Sequence, residues 1–250
     1  MTTIFDSHAH LKHGDAEHTE YKPEQIIATM DAVGISKSVV FAMSTTATRA
    51  IDMAEQAVAQ YPDRLVPYVY ALPRFDRPIV DELDYVLAKR VFRGIKIHAG
   101  ECSLQPYVID TVLHLAGRYD VPCLVDCAGR LGEMAGMLKR FPNTKCIIAH
   151  LGRYLCEDAG LIDRFIALAE EYDNAYLDVS GVVLTQKIAE AAERIGSARV
   201  IWGTDGPHLA PDTAGFARAE IEKVTSLHLA PEVEQDILGG SIARLRGVEL

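Results

Sequence analysis

The sequence predicts a single (β/α)8 barrel, and three observations carry that prediction. Strand-like apolar runs alternate with helical patterns eight times along 250 residues, a span typical of eight βα units. Runs such as Cys146-Ile-Ile-Ala149 are continuously apolar, as parallel strands covered on both faces are. No G-x-G-x-x-G follows the first run, where an open doubly wound sheet often carries one. No Pro/Gly/Ser-rich linker divides the chain, so residues 1–250 read as one domain.

The first strand is Ile4-Phe-Asp6-Ser-His8-Ala-His10. On an extended strand Ile4, Asp6, His8 and His10 project from one face, and two imidazoles so placed can hold one metal ion. Leu11 to Tyr21 is polar, carries His13 and His18, and reads as a loop. Pro23 opens the first helix, because proline suits the first turn, and Ile26, Ile27, Met30 and Val33 form an apolar stripe that ends at Gly34. Ser38 to Met43, rich in β-branched residues, is the second strand; Thr48 to Gln60 is the second helix, with Ile51, Ala54, Ala57 and Val58 on one side. The alternation continues with strand Leu65 to Tyr70, helix Pro78 to Lys89, strand Gly94 to His98 and helix Gln105 to Tyr119. Strand Pro122 to Asp126, helix Leu131 to Phe141, strand Lys145 to His150 and helix Asp158 to Glu171 follow. Strand Ala175 to Asp178, helix Thr185 to Ile195 and strand Val200 to Trp202 complete the eight. Two helical stretches, Phe216 to Val224 and Pro231 to Leu238, close the chain.

With 49% hydrophobic residues the chain can bury a sizeable core. Its formal net charge of −10 and pI near 5.4 argue against partners such as nucleic acid or an anionic membrane surface. No charged-then-apolar leader and no apolar run of membrane-spanning length is present, so the expectation is a cytoplasmic protein. Cys102, Cys123, Cys127, Cys146 and Cys156 follow no zinc-finger spacing and read as reduced thiols. On a strand, Cys123, Val125 and Cys127 share one face and Leu124 and Asp126 the other, so these cysteines are expected to pack against a helix.

The active site of such a barrel lies at the C-terminal ends of its strands. Here strand one ends in His8 and His10, strand four in Lys96-Ile-His98 and strand five in Asp126. Strand six ends in His150, strand seven in Asp178 and strand eight in Gly203-Thr-Asp205. Any one of these residues has an ordinary structural use as a hydrogen-bonded histidine or a turn aspartate. Converging on one mouth, they point to chemistry, because ionisable groups are seldom buried without a partner.

This constellation resembles the amidohydrolase superfamily, in particular the branch of metal-dependent hydrolases and decarboxylases called amidohydrolase family 2. Asp6-Ser-His8-Ala-His10 looks like its first-strand metal motif, and Arg93-Gly-Ile-Lys96-Ile-His98 is similar to its fourth strand. Ala149-His150-Leu-Gly152, Tyr176-Leu-Asp178-Val-Ser180 and Trp202-Gly-Thr-Asp205 are similar to its sixth, seventh and eighth. Ile237-Leu-Gly-Gly240 with Ala243-Arg-Leu245 looks like its closing helix. Two departures stand out. Asp126 occupies the place of the family's usual strand-five histidine, and Ser241-Ile242 lies where an asparagine is usual.

The resemblance implies one divalent metal ion held by His8, His10, Asp126 and Asp205. Replacing an imidazole by a carboxylate makes the site harder, which admits Mn²⁺ beside Zn²⁺. Asp205 is then expected to move the proton of an attacking water, and His150 to polarise a carbonyl, donate a proton or bind a second ion. Lys96, whose counterpart in some superfamily members bridges two metals once carboxylated, and His98 are expected to face the substrate. Arg74, Arg130 and Arg153 follow strands three, five and six and form a local positive cluster, which suggests a small substrate bearing a carboxylate. Surface pairing with Glu133, Glu157 or Asp158 is the competing use of these arginines. The leading function is hydrolysis of an amide, cyclic amide or lactone bond. The alternatives are a metal-dependent non-oxidative decarboxylase of a small aromatic or unsaturated acid, a metal-free lactonase, and an inactive binding protein. A homodimer is compatible with the family.

Overall fold

The computed structural model describes residues 3–77 and 79–247. Eight parallel strands pair in sequence order: β1 (Ile4–Lys12), β2 (Ile35–Ala42), β3 (Leu65–Tyr70), β4 (Gly94–His98), β5 (Cys123–Asp126), β6 (Cys146–Ile148), β7 (Ala175–Asp178) and β8 (Val200–Ile201). Helices α1 (Pro23–Val33), α2 (Ala47–Gln60), α3 (Val80–Ala88), α4 (Pro106–Tyr119), α5 (Leu131–Arg140), α6 (Ala159–Glu171), α7 (Gln186–Ile195) and α8 (Thr213–Thr225) follow the strands one by one. The chain ends in α9 (Pro231–Gln235), a π-turn over Asp236–Gly240, and α10 (Ser241–Arg246). This is a single-domain (β/α)8 barrel, as the alternation predicts.

The barrel closes where the end of β8 meets β1. Ser7 N–H donates to the Trp202 carbonyl at 3.2 Å, Asp205 N–H to the His8 carbonyl at 2.8 Å, and His10 N–H to the Gly206 carbonyl at 2.7 Å. Inside and around the sheet the apolar strand runs are sealed: Leu124, Val125, Ile147 and Ile148 are all 0% exposed. Each such side chain contributes about 1.5–3 kcal/mol of burial. All five cysteines are buried and free, and Cys123 pairs in register with Cys146 on the neighbouring strand. Because Asp126 on the alternate face lines a cleft at the mouth, Cys123 and Cys127 face the helical layer, as expected.

Helix starts follow side-chain chemistry. Thr46 accepts from Arg49 N–H at 3.2 Å before α2, and Asp158 accepts from Leu161 N–H at 3.0 Å before α6. Asp212 accepts from Gly215 N–H at 2.7 Å, which is why α8 begins at Thr213, ahead of the Phe216 expected from its apolar pattern. The sequence places the start of the third helix at Pro78, which lies outside the described residues. The segment expected as a loop from Leu11 is partly structured. β1 runs on to Lys12, whose carbonyl accepts from Met43 N–H at 3.0 Å, and Tyr21 N–H returns to the Leu11 carbonyl at 2.8 Å. Near the C-terminus Ser241, in the place of the asparagine, donates to the Ser197 carbonyl at 2.9 Å. Among the described residues no helix is long and apolar enough to cross a membrane.

The closing seam has no room for a side chain at residue 203. A Cβ on Gly203 would stand 2.7 Å from His8 Cβ and 2.9 Å from Ser7 Oγ. Gly203→Ala is therefore expected to cost about 1–3 kcal/mol. That is a fall of roughly 2–12 °C in the thermal midpoint for a chain of this size, measured by calorimetry.

Candidate active site

The strand ends meet in one cleft of about 450 Å³ at the C-terminal mouth, whose walls include His10, Lys96, His98, Asp126, His150 and Asp205. His8 and Asp178 lie beneath it, each fully buried. The floor is built from the seam. Asp6, 3% exposed, accepts from His8 N–H at 3.0 Å and Thr204 N–H at 2.9 Å on one oxygen, and from the Thr204 hydroxyl at 2.7 Å on the other. With Thr204 held, the backbone turns left-handed at Asp205 (φ +56°). That turn carries the Asp205 carboxylate to 3.0 Å from His8 Nε2 and 2.9 Å from His10 Nε2.

A second tight turn places His150. His150, Leu151 and Gly152 are all left-handed (φ +60°, +49° and +104°), which ends β6 at Ile148, two residues before the expected His150. Such backbone costs a non-glycine residue about 1–2 kcal/mol. It is retained because His150 N–H donates to Asp178 Oδ1 at 3.1 Å and Gly129 N–H to the Gly152 carbonyl at 2.8 Å. At residue 152 only glycine fits, since a Cβ would also lie 2.1 Å from the Phe165 ring.

Among the described residues, two groups have ligating atoms within 4.8 Å of one another: His8, His10 and Asp205, and His8, His150 and Asp178. The first opens on the cleft and contains three of the four ligands expected from sequence. The fourth, Asp126, stands elsewhere: its Oδ2 is 3.1 Å from His98 Nε2 and 3.5 Å from His150 Nε2, and its Oδ1 accepts from Ala128 N–H at 2.9 Å. His98 Nδ1 accepts from Gly100 N–H at 3.0 Å, so its proton sits on Nε2 and is donated to Asp126. Lys96 Nζ lies 2.8 Å from His8 Nε2 and 5.0 Å from the Phe41 ring centroid.

The charges are strongly coupled. Burial alone raises the Asp205 carboxyl, but His8, His150 and His10 hold it well below the usual range. Burial alone lowers the His150 imidazole, but Asp205, Asp126 and Asp178 push it up to about 9. Lys96 is lowered by burial against the pull of the same three carboxylates. Three carboxylates thus share this region with one lysine and one imidazolium. The deficit of positive charge, two imidazole nitrogens and a carboxylate oxygen at one point fit a divalent cation.

The arginines expected at the mouth do not reach it. Among the described residues lining the cleft there is no arginine. Arg74 is exposed and pairs with Asp76 at 3.2 Å, while Arg130 and Arg153 are exposed on their loops. The cleft instead receives residues that sequence reasoning left without a role. His13 stacks on His10 at 4.3 Å between ring centroids, and His208 tilts against His13 at 4.7 Å. Tyr154 meets His150 edge-on at 5.0 Å. Glu101 is held by the Tyr70 hydroxyl at 2.7 Å and by Ser44. Glu101 lies three residues beyond a strand end, the one sequence signal that could have marked it.

The amidohydrolase family model matches residues 5–247. The fold is shared with an amidohydrolase from Burkholderia multivorans solved with bound zinc (15% identity, 99% of this chain and 100% of that chain, TM-score 0.77). It is shared with a probable 2-pyrone-4,6-dicarboxylic acid hydrolase from Acinetobacter baumannii with citric acid bound (18% identity, 99% and 100% coverage, TM-score 0.73). It is also shared with a 5-carboxyvanillate decarboxylase from Sphingomonas paucimobilis (14% identity, 100% of both chains, TM-score 0.75). No curated protein matches the chain in sequence.

Asp6 gives the seam a pH dependence. Burial pushes its carboxyl up from 3.8 to about 6, against the hydrogen bonds from His8 and Thr204. A carboxyl whose pKa is raised by folding contributes stability that is present below the unfolded value and is lost as pH rises through the folded one. Ionising Asp6 between pH 4 and pH 7 therefore costs on the order of 3 kcal/mol. Urea unfolding at both pH values, without metal, is expected to show Asp6→Asn gaining on wild type by about that amount as pH rises. A gap that stays constant between pH 4 and pH 7 would refute the assignment.

Proposed function

Because the chain belongs to the amidohydrolase family, we propose that it is a metal-dependent hydrolase cleaving an amide, cyclic amide or lactone bond of a small carboxylate-bearing molecule. The observation that carries the reading is the convergence of His8 Nε2, His10 Nε2 and Asp205 Oδ1 on one point at the cleft floor. His8, His10 and Asp205 would hold one Zn²⁺ or Mn²⁺; the zinc of the Burkholderia multivorans relative supports the former. When bound, such an ion lowers the pKa of a water towards ~7 and polarises a carbonyl.

The side chains supply the rest. Asp205, kept ionised by its neighbours, takes a proton from the attacking water and returns it to the leaving group. His150 retains its proton at neutral pH and donates a hydrogen bond to the substrate carbonyl, with Asp126 behind it. Lys96 and His98 complete the wall that faces the substrate. A carboxylated substrate is supported by the names of the Acinetobacter and Sphingomonas relatives. Its carboxylate would be met by the imidazoles of the cleft, since the arginines stand outside it.

The same imidazolium favours a second reading, non-oxidative decarboxylation. There His150 delivers its proton to the carbon from which CO₂ departs, and no water attacks. A relative of this fold is a decarboxylase.

Elemental analysis of protein purified without chelator is expected to find about one Zn or Mn per chain. Stripping the ion should abolish turnover and re-adding it should restore turnover. Asp205→Asn is expected to lower kcat by about 10²–10⁴ while the protein stays folded. Lactone and amide panels, run beside headspace CO₂ measurement on aromatic and unsaturated acids, assign the reaction. Metal well below one per chain, with no activity on adding either ion, would sink both readings.

A further inference from the structure

We propose that Ser180 is a positioning residue whose hydroxyl fixes the proton of His8 on Nδ1, leaving Nε2 as the lone-pair donor that faces the cleft; this rests on the reading of His8 as a metal ligand. Ser180 is 0% exposed and follows β7 by two residues, so it shares a face with Asp178. Its Oγ stands 2.5 Å from Asp178 Oδ1, 3.1 Å from His150 Nδ1 and 3.3 Å from His8 Nδ1. His8 Nδ1 is 3.7 Å from Asp178 Oδ1, beyond a hydrogen bond, so the hydroxyl lies between imidazole and carboxylate.

The direction of each hydrogen bond follows from what each group can do. Asp178 accepts from the backbone N–H groups of His150 at 3.1 Å and Ser180 at 3.2 Å, and from the Ser7 hydroxyl at 3.2 Å. A carboxylate in that company is an acceptor only, and the single Ser180 proton goes to it. The Oγ is then left with lone pairs, and His8 Nδ1 must donate to it. His150 Nδ1 likewise donates, to the Ser180 carbonyl at 2.9 Å. At the opposite edge Nε2 faces both Lys96 Nζ at 2.8 Å and Asp205 Oδ1 at 3.0 Å, a donor and an acceptor, so the Ser180 side decides. The tautomer Ser180 selects is the one a ligand through Nε2 requires. The grouping His8, His150 and Asp178 is thus occupied by a hydroxyl, and its role is to orient the first grouping.

Long-range ¹H–¹⁵N correlation spectra of the full-length, metal-free protein report which nitrogen of His8 is protonated, and Zn²⁺ competition titration reports the consequence. The wild type is expected to carry the proton on Nδ1. Ser180→Ala is expected to populate the other tautomer and to weaken Zn²⁺ binding about 10- to 100-fold, with its near-ultraviolet circular dichroism unchanged. A wild-type spectrum with the proton on Nε2 overturns the proposal even if the variant fails to fold. So does a folded Ser180→Ala protein with unchanged tautomer and affinity. A wild-type chain that takes up no Zn²⁺ yet shows the Nδ1 proton removes the metal reading and supports the role of the hydroxyl.

Discussion

The buried carboxylate of Asp6 joins the two ends of the fold, and the mouth of the barrel depends on it. It accepts from Thr204, 198 positions further along the chain, and from the nearby His8. Loop closure costs grow only slowly with length, so a contact this distant is tolerable, and its three donors offset part of the burial of the acceptor. Because β8 itself is two residues long, the seam relies on the segment beyond it, where Asp205 N–H reaches the His8 carbonyl. Closing the barrel and assembling His8, His10 and Asp205 are therefore one structural event.

The site assembled this way is short of positive charge. Asp126, Asp178 and Asp205 remain ionised because donors and cations surround each of them, not because water does. Lys96 and His150 answer them only in part, and His150 holds its proton as a result. A divalent ion at the His8–His10–Asp205 point would supply the missing positive charge. The imidazoles of His13 and His208 extend this polar surface along one wall of the cleft.

Aiming these groups requires strained backbone. Ala128, His150, Leu151 and Asp205 are left-handed without being glycine, and each lies two to four residues past the end of a strand. The turns bend the chain sharply enough for side chains to point toward the barrel axis while the next helix returns outside. Strain of this kind persists where surrounding contacts over-determine it, as Asp178 does for His150.

The order of strands and helices was legible because hydrophobic period and length are local properties, and the barrel follows from eight such alternations. His8 and His10 were legible because a strand's alternation fixes where its side chains emerge; His150 and Asp205 were legible only as residues soon after a strand, and left-handed turns aim them. Their partners were not. Asp126, expected beside the histidine ligands, turns to His98 and His150, a choice made by backbone register between β4 and β5. Arg74, Arg130 and Arg153 sit on loops after the right strands, yet all three are exposed and none lines the cleft. Ser180 was visible only as a letter in a strand motif, and its place between Asp178 and His8 depends on three strands meeting. Sequence by itself determined the barrel and marked part of its mouth, while His13, Glu101, Tyr154 and His208 entered it unannounced and the three arginines stayed out. Tertiary structure decided which of them touch, because hydrogen-bond partners are set within fractions of an ångström by the packing of segments far apart in the chain.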